Sequence, residues 1–203
     1  CDSHGNSAII EFYEGKSHIY SGDDILYPIL SNNTYKNSLK YLKKFRGFGG
    51  DLSLSNDNTS GERFVRVASM MQENNLMDYE DLKSVAFNML SAVEQDDTQW
   101  SIVYDIKNLS IHFKTASSTI KIINLDAFDF SCSSPVLAYN VNSKDSKSTD
   151  LSFNKFNPVV NTELLMSVFE KYELYKMGLL SKEKFLELAH YGNSIKCKET
   201  FRD

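Results

Sequence analysis

Pro28-Ile29-Leu30-Ser31-Asn32-Asn33-Thr34 and, one helix and one glycine-bearing loop later, Ser60-Gly61-Glu62-Arg63-Phe64-Val65-Arg66 are the two pieces on which the reading of this chain turns. The first is a short apolar run that stops abruptly in small polar residues. The second opens a helix and carries two arginines three residues apart, which places them on one side of it. An amide side chain at the end of a strand, with a guanidinium about a helix away, can hold a carbonyl oxygen or the charge that develops on it. Taken alone, Asn32 also reads as a strand-end turn residue and the arginines as solvated.

Working outward, Ser7 to Tyr13 is β-branched and aromatic, Glu14-Gly15 is a turn signal, and Ser17 to Tyr20 resumes an extended pattern, so a hairpin is expected. Asp2 to Asn6 would be a turn leading into it. Ile25 to Leu30 reads as a third strand buried on both faces. Thr34 to Phe45 reads as a helix with Thr34 as N-cap and Tyr35, Leu39 and Leu42 along one face. Gly47-Phe48-Gly49-Gly50 ends it and a loop runs on to Gly61. A second helix, Glu62 to about Asn74, carries Phe64, Val67, Ala68 and Met71 as its apolar stripe, with Arg63, Arg66 and Met70 on a separate one. A third is expected from an Asp78 cap, with Glu80 and Asp81 in its first turn and Tyr79, Leu82, Val85, Ala86, Met89, Leu90 and Val93 apolar.

Near Thr98 the period changes. Trp100–Tyr104, Ser110–Lys114 and Thr119–Ile123 are strand-like, with Lys107-Asn108 and Ser117-Ser118 at the turns, which spells an antiparallel meander. Strands, then helices, then strands suit an α+β domain better than alternating βαβ units. The Ser-, Lys- and Asp-rich stretch Asn142 to Asp150 reads as a linker. Beyond it Leu164, Val168, Tyr172 and Tyr175 mark a helix ended by Gly178, and Ser181 starts another with Phe185, Leu186 and Leu188 apolar. The expected division is a core at 1–141, a linker at 142–160 and a C-terminal helical hairpin at 161–203. That hairpin either covers a sheet edge or serves a homo-oligomer.

The chain has 203 residues, 41% hydrophobic and 12% aromatic, enough for a real core. Its net charge of −5, with no long run of one sign, argues against a nucleic-acid partner. No apolar run approaches the ~20 residues of a membrane-spanning helix. Cys1, Cys132 and Cys197 lie far apart, and their odd number offers no disulfide framework. His4, His18, His112 and His190 are scattered, so no structural metal and no cofactor are expected.

With these elements in order, a set of residues resembles the choloylglycine hydrolase family, which includes penicillin V acylases and bile salt hydrolases. Asp2-Ser3-His4-Gly5-Asn6-Ser7-Ala8-Ile9-Ile10-Glu11 with Glu14-Gly15-Lys16 is similar to a strand and turn from the middle of that family. Ile29-Leu30-Ser31-Asn32-Asn33 is similar to its Val-Leu-Thr-Asn-Ser/Asn, and Arg63-Phe64-Val65-Arg66 to its Arg-Phe-Val-Arg. Thr98-Gln99-Trp100 and Tyr104-Asp105-Ile106-Lys107-Asn108 resemble its Thr-x-Trp strand and Asp-x-x-Asn turn, and Leu125 to Ser131 the segment that closes its core. Together they span about Cys1 to Ser133. Thr34 departs from the pattern, standing where the family usually has Pro.

The resemblance implies an αββα sandwich of the N-terminal-nucleophile (Ntn) hydrolases, present here incompletely. It implies hydrolysis of a linear, non-peptide amide C–N bond in a small-molecule substrate by an N-terminal cysteine. Asn32 would be the oxyanion-binding amide and Arg63 the active-site arginine, with Arg66 in reserve because it shares that helix side. The family's cysteine begins its first strand, whereas Cys1 precedes the mid-chain strand; Cys1 therefore reads as the first residue of a fragment. The expectation is a C-terminal portion of a hydrolase, inactive alone. The rival is a non-catalytic protein that keeps the sandwich and binds a ligand or partner.

Overall fold

The computed structural model describes residues 1–2, 4–73, 81–141, 143, 148–149, 151–178 and 181–194. It divides into two compact units, Cys1–Ile123 and Asn124–Asp203. The division falls earlier than the expected boundary at 141.

In the first unit, β1 (Ala8–Tyr13) and β2 (Lys16–Ser21) form the expected antiparallel hairpin, with Ile10 opposite Ile19 and Glu11 opposite His18. Its two-residue turn holds Glu14 and Gly15 at φ 53° and 70°. Left-handed backbone at both positions matches the twist of the flanking strands. One face of the hairpin is buried: Ile9 is in the core, and Tyr20 meets the Tyr35 ring edge-on at 4.9 Å. The other face is open, with Ile10 53%, Phe12 82% and Ile19 63% exposed.

Residues 25–30 do not form the third strand that their apolar character predicts. Pro28 has no N–H to give a ladder. The Tyr35 hydroxyl accepts from the Tyr27 N–H (3.2 Å) and donates to the Tyr27 carbonyl (3.0 Å). The segment is thus pinned by one side chain instead of by a neighbouring strand, and only Ile29 is buried outright.

Helix α1 (Tyr35–Leu42) starts as expected from Thr34, whose hydroxyl accepts the Asn37 N–H at 3.3 Å. Helix α2 (Ser60–Glu73) starts two residues earlier than the pattern suggests. Phe64, Val65 and Ala68 are almost wholly buried, and with Ile9, Ile29, Tyr35, Leu42 and Phe45 they form the core of this unit. Between the helices the glycine loop folds tightly. A Cβ on Gly50 would lie 2.1 Å from the Lys44 carbonyl oxygen, so only glycine fits.

Helix α3 (Leu82–Ala92) is capped by Asp81, whose carboxylate accepts from the N–H groups of Lys83 and Ser84. The cap expected at Asp78 lies outside the described residues. Val85 and Phe87 are its buried residues, whereas Leu82 is 55% exposed. The meander is present as β3 (Trp100–Asp105), β4 (Ser110–Thr115) and β5 (Lys121–Asn124), in that order in the sheet. Helix α3 lies on β3, and the Lys83 ammonium meets the Asp105 carboxylate at 3.2 Å.

The second unit holds a two-residue antiparallel pair, β6 (Leu137–Ala138) and β7 (Asn154–Lys155), and helices α4 (Pro158–Lys171), α5 (Lys182–Ala189) and α6 (Tyr191–Ser194). So β7 and the first turn of α4 occupy part of the expected linker. Helices α4 and α5 pack through Phe169 and Phe185, with ring centroids 5.0 Å apart. The residues expected to be the apolar face of α4, Leu164, Val168 and Tyr172, point outward instead. Cys132 is disulfide-bonded, which the odd count of cysteines did not suggest; Cys1 is exposed with a free thiol.

Candidate functional site

The segment bearing Asn32 is held at three points. The Glu11 carboxylate spans the N-terminus of α1, accepting the Tyr35 N–H through both oxygens at 2.9 and 3.0 Å. A carboxylate there satisfies an orphan donor and complements the helix dipole. Upstream, Tyr27 is bound by the Tyr35 hydroxyl as described. Between these, the Ser60 hydroxyl donates to Ser31 Oγ at 2.9 Å, and Ser31 lies 3.4 Å from the hydroxyl of the fully buried Ser38.

The Ser31–Ser60 bond joins the two stretches that the sequence singles out. Asn32 directly follows Ser31, and Arg63 sits one helical turn after Ser60. Asn32 lies in a bend, is exposed, and its amide has no hydrogen-bond partner among the described residues. Its neighbour Asn33 is occupied locally, accepting the Thr34 N–H at 2.9 Å. Arg63 is half-buried; its Nε is buried without a partner, and among the described residues no carboxylate pairs with it. No direct hydrogen bond links the Asn32 amide to the Arg63 guanidinium among the described residues.

Arg66 is placed quite differently from Arg63. Its guanidinium donates to Asn58 Oδ1 (3.2 Å) and to the carbonyls of Ala92 (2.8 Å), Ser55 (3.2 Å) and Asp57 (2.9 Å). It ties the loop before α2 to the C-terminal end of α3, where a cation is favourable. Two arginines three apart on one helix thus differ in function: one is a brace, the other has hydrogen-bonding capacity to spare.

Sequence reading missed Glu62. Its side chain is 7% exposed, one oxygen accepts from the Tyr41 hydroxyl at 3.0 Å, and the other is buried without a partner. Burial, then the hydrogen bond to Glu62, push the Tyr41 phenol above its ordinary value. The signal was present: Thr59 and Glu62 have capping-box spacing, and Thr59 does accept the Glu62 N–H at 3.2 Å. The glutamate turns to Tyr41 instead. A Cβ on Gly61 would sit 2.7 Å from the Tyr41 ring, so this approach of α1 to α2 requires the glycine. Among the described residues no three His, Cys, Asp or Glu side chains group as a metal site would, and no helix is long and apolar enough to cross a membrane.

No family model and no curated protein matches the chain. Solved structures do. Penicillin V acylase from Agrobacterium tumefaciens superposes with a TM-score of 0.50 at 22% identity, over 61% of this chain and 43% of the acylase. Two variants of conjugated bile acid hydrolase from Clostridium perfringens superpose with a TM-score of 0.49 each, at 18% and 17% identity, over 76% of this chain and 52% of theirs. The chain therefore shares the penicillin V acylase fold over the matched part and spans about half the length of these structures or less. That mixed helix-and-sheet likeness is what the sequence resemblance implies.

Proposed function

We infer that this chain contributes to a hydrolase of linear, non-peptide amide bonds in small molecules, working by the cysteine Ntn mechanism on an αββα frame. In that reaction a thiolate sulfur attacks the amide carbonyl carbon and the carbonyl oxygen becomes an oxyanion. The amine leaves with a proton, and water cleaves the thioester to a carboxylic acid and the free thiol. Asn32 supplies an N–H donor to the oxyanion, and Arg63 stabilises charge nearby. Cys1, which stands before the hairpin that resembles the family's mid-chain strand, is not assigned as the nucleophile. The observation that carries the reading is the Ser31–Ser60 bond, which joins the stretch bearing the exposed Asn32 amide to the one bearing Arg63, whose buried Nε has no partner among the described residues. Arg66 is spent on four acceptors and is left out of the site.

Penicillin V, the substrate in the acylase's name, is the probe. The chain alone is expected to give no turnover; turnover that vanishes in Cys1→Ala would return the nucleophile to Cys1. Binding with no hydrolysis in any longer form favours the non-catalytic alternative. In the complete enzyme Asn32→Ala should lower kcat by ~10²–10³ with an unchanged melting curve. Undiminished kcat would remove Asn32 from the oxyanion site.

A further inference from the structure

Between Ile29 and Thr34 the chain has little to hold it. Ile29 is buried and its N–H donates to the Tyr27 carbonyl at 2.8 Å, and from Thr34 onward the backbone is committed to the start of α1. In the span between, no hydrogen bond reaches the backbone of residues 30–33 among the described residues. Asn33 reaches only the neighbouring Thr34 N–H. Burial does not fix the span either, since Leu30 is 54% exposed. A stretch with so few contacts opens at little cost.

The Ser31 hydroxyl is what ties it down. It accepts from Ser60 at 2.9 Å, which leaves its own proton for the fully buried Ser38 hydroxyl 3.4 Å away. Ser38 belongs to α1 and Ser60 is the first residue of α2, helices that share one core through Leu42, Phe64, Val65 and Ala68. One side chain is thus seated on two rigid supports. Asn32 is the next residue, its Cα fixed about 3.8 Å from that of Ser31 by the peptide link. Ser60 and Arg63 are three apart on α2 and so stand on one side of it. The tether therefore sets the Asn32 stretch against the side of the helix from which Arg63 projects. We propose that Ser31 is a positioning residue, with Ser60 as its donor and Ser38 as its backing: its hydroxyl holds the Asn32 amide at one place beside α2, and the reaction rate depends on that hold. The proposal takes the oxyanion role of Asn32 from the hydrolase reading, whereas the tether itself is measurable without any reaction. A donor stabilises an oxyanion fully only if it is already aimed where the charge develops; one that must first be ordered loses part of its effect to its own entropy. The Asn32 amide is exposed and no described group holds it, so its order comes from its backbone alone.

Two measurements test this. In the whole chain, the heteronuclear 1H–15N NOE of the Asn32 side-chain amide and of the backbone N–H groups of residues 30–33 should fall in Ser31→Ala and in Ser60→Ala. It should return to the parent level in Ser31→Thr, which keeps the hydroxyl, and helical circular dichroism should be unchanged in all three. In the complete enzyme, with penicillin V as the probe, Ser31→Ala should lower kcat by about 10- to 100-fold at unchanged KM, as a small misplacement of a reacting group implies. Ser31→Thr should restore it. In the Asn32→Ala background Ser31→Ala should add nothing, because the seat then has no donor to position. An NOE unmoved by Ser31→Ala, or the same loss of kcat with and without the Asn32 amide, would overturn the proposal. A silent Asn32→Ala together with a fallen NOE would strike the oxyanion reading and the rate dependence built on it, and would uphold the tether.

Discussion

A single hydroxyl does the work of a missing strand. Tyr35 is fully buried and satisfies both backbone groups of Tyr27. Tyr35→Phe keeps the ring and removes only those bonds. The expected loss is about 1–3 kcal/mol, read as a fall of several degrees in the melting temperature. Asp105 shows the same logic in an exposed turn. Hydrogen bonds from the Asn108 side chain (2.8 Å) and backbone N–H (3.0 Å), then the Lys83 ammonium, hold its carboxyl at about 2 against an ordinary 3.8. A folded-state value below the unfolded one means the stabilisation is complete above about pH 4 and is lost as pH falls toward 2. In an NMR titration Asn108→Ala should move the Asp105 midpoint upward; an unmoved midpoint would refute the assignment of cause.

Between elements, the closest tolerance is that of α1 against α2. Tyr41 lies over Gly61 and reaches Glu62, so the helix start that carries Arg63 is seated on an aromatic ring. Gly61→Ala would gain at most about 1 kcal/mol in helix propensity. It would drive a methyl to 2.7 Å from ring carbons that the Glu62 bond restrains, and overpacking of this kind costs about 1–3 kcal/mol. The clash should win, lowering the urea midpoint at constant m-value; a stabilised variant would mean that the ring moves freely.

For the whole molecule, the bare face of the hairpin is an exposed apolar patch of the first unit. Ile10 and Ile19 pair across it and Phe12 stands beside them, 82% exposed. Contiguous apolar surface in water promotes association. Phe12→Ser should therefore raise the concentration at which the chain precipitates while changing the melting temperature by under about 2 °C, since Phe12 is 82% exposed. A large loss of stability would show that Phe12 is part of the core.

Period and turn chemistry were legible residue by residue: the alternation and Glu14-Gly15 of the hairpin, Thr34 and Ser181 as caps, the meander with its Asp105–Asn108 turn. Those signals act within a few residues, and local sterics and local hydrogen bonds decide them. Asn32 and Arg63 stand out only through the family resemblance; alone, each reads as an ordinary turn or solvated residue. What each arginine does could not be read, because that depends on which carbonyls arrive from residues 55–58 and Ala92. Nor could the absence of a strand at 25–30, which follows from a hydroxyl eight residues away, or the outward face of α4, which follows from where α5 comes to rest. Local preference sets an element's type and its ends; which side it buries, and which polar groups stay unpaired, is settled only when distant segments compete for the same surface.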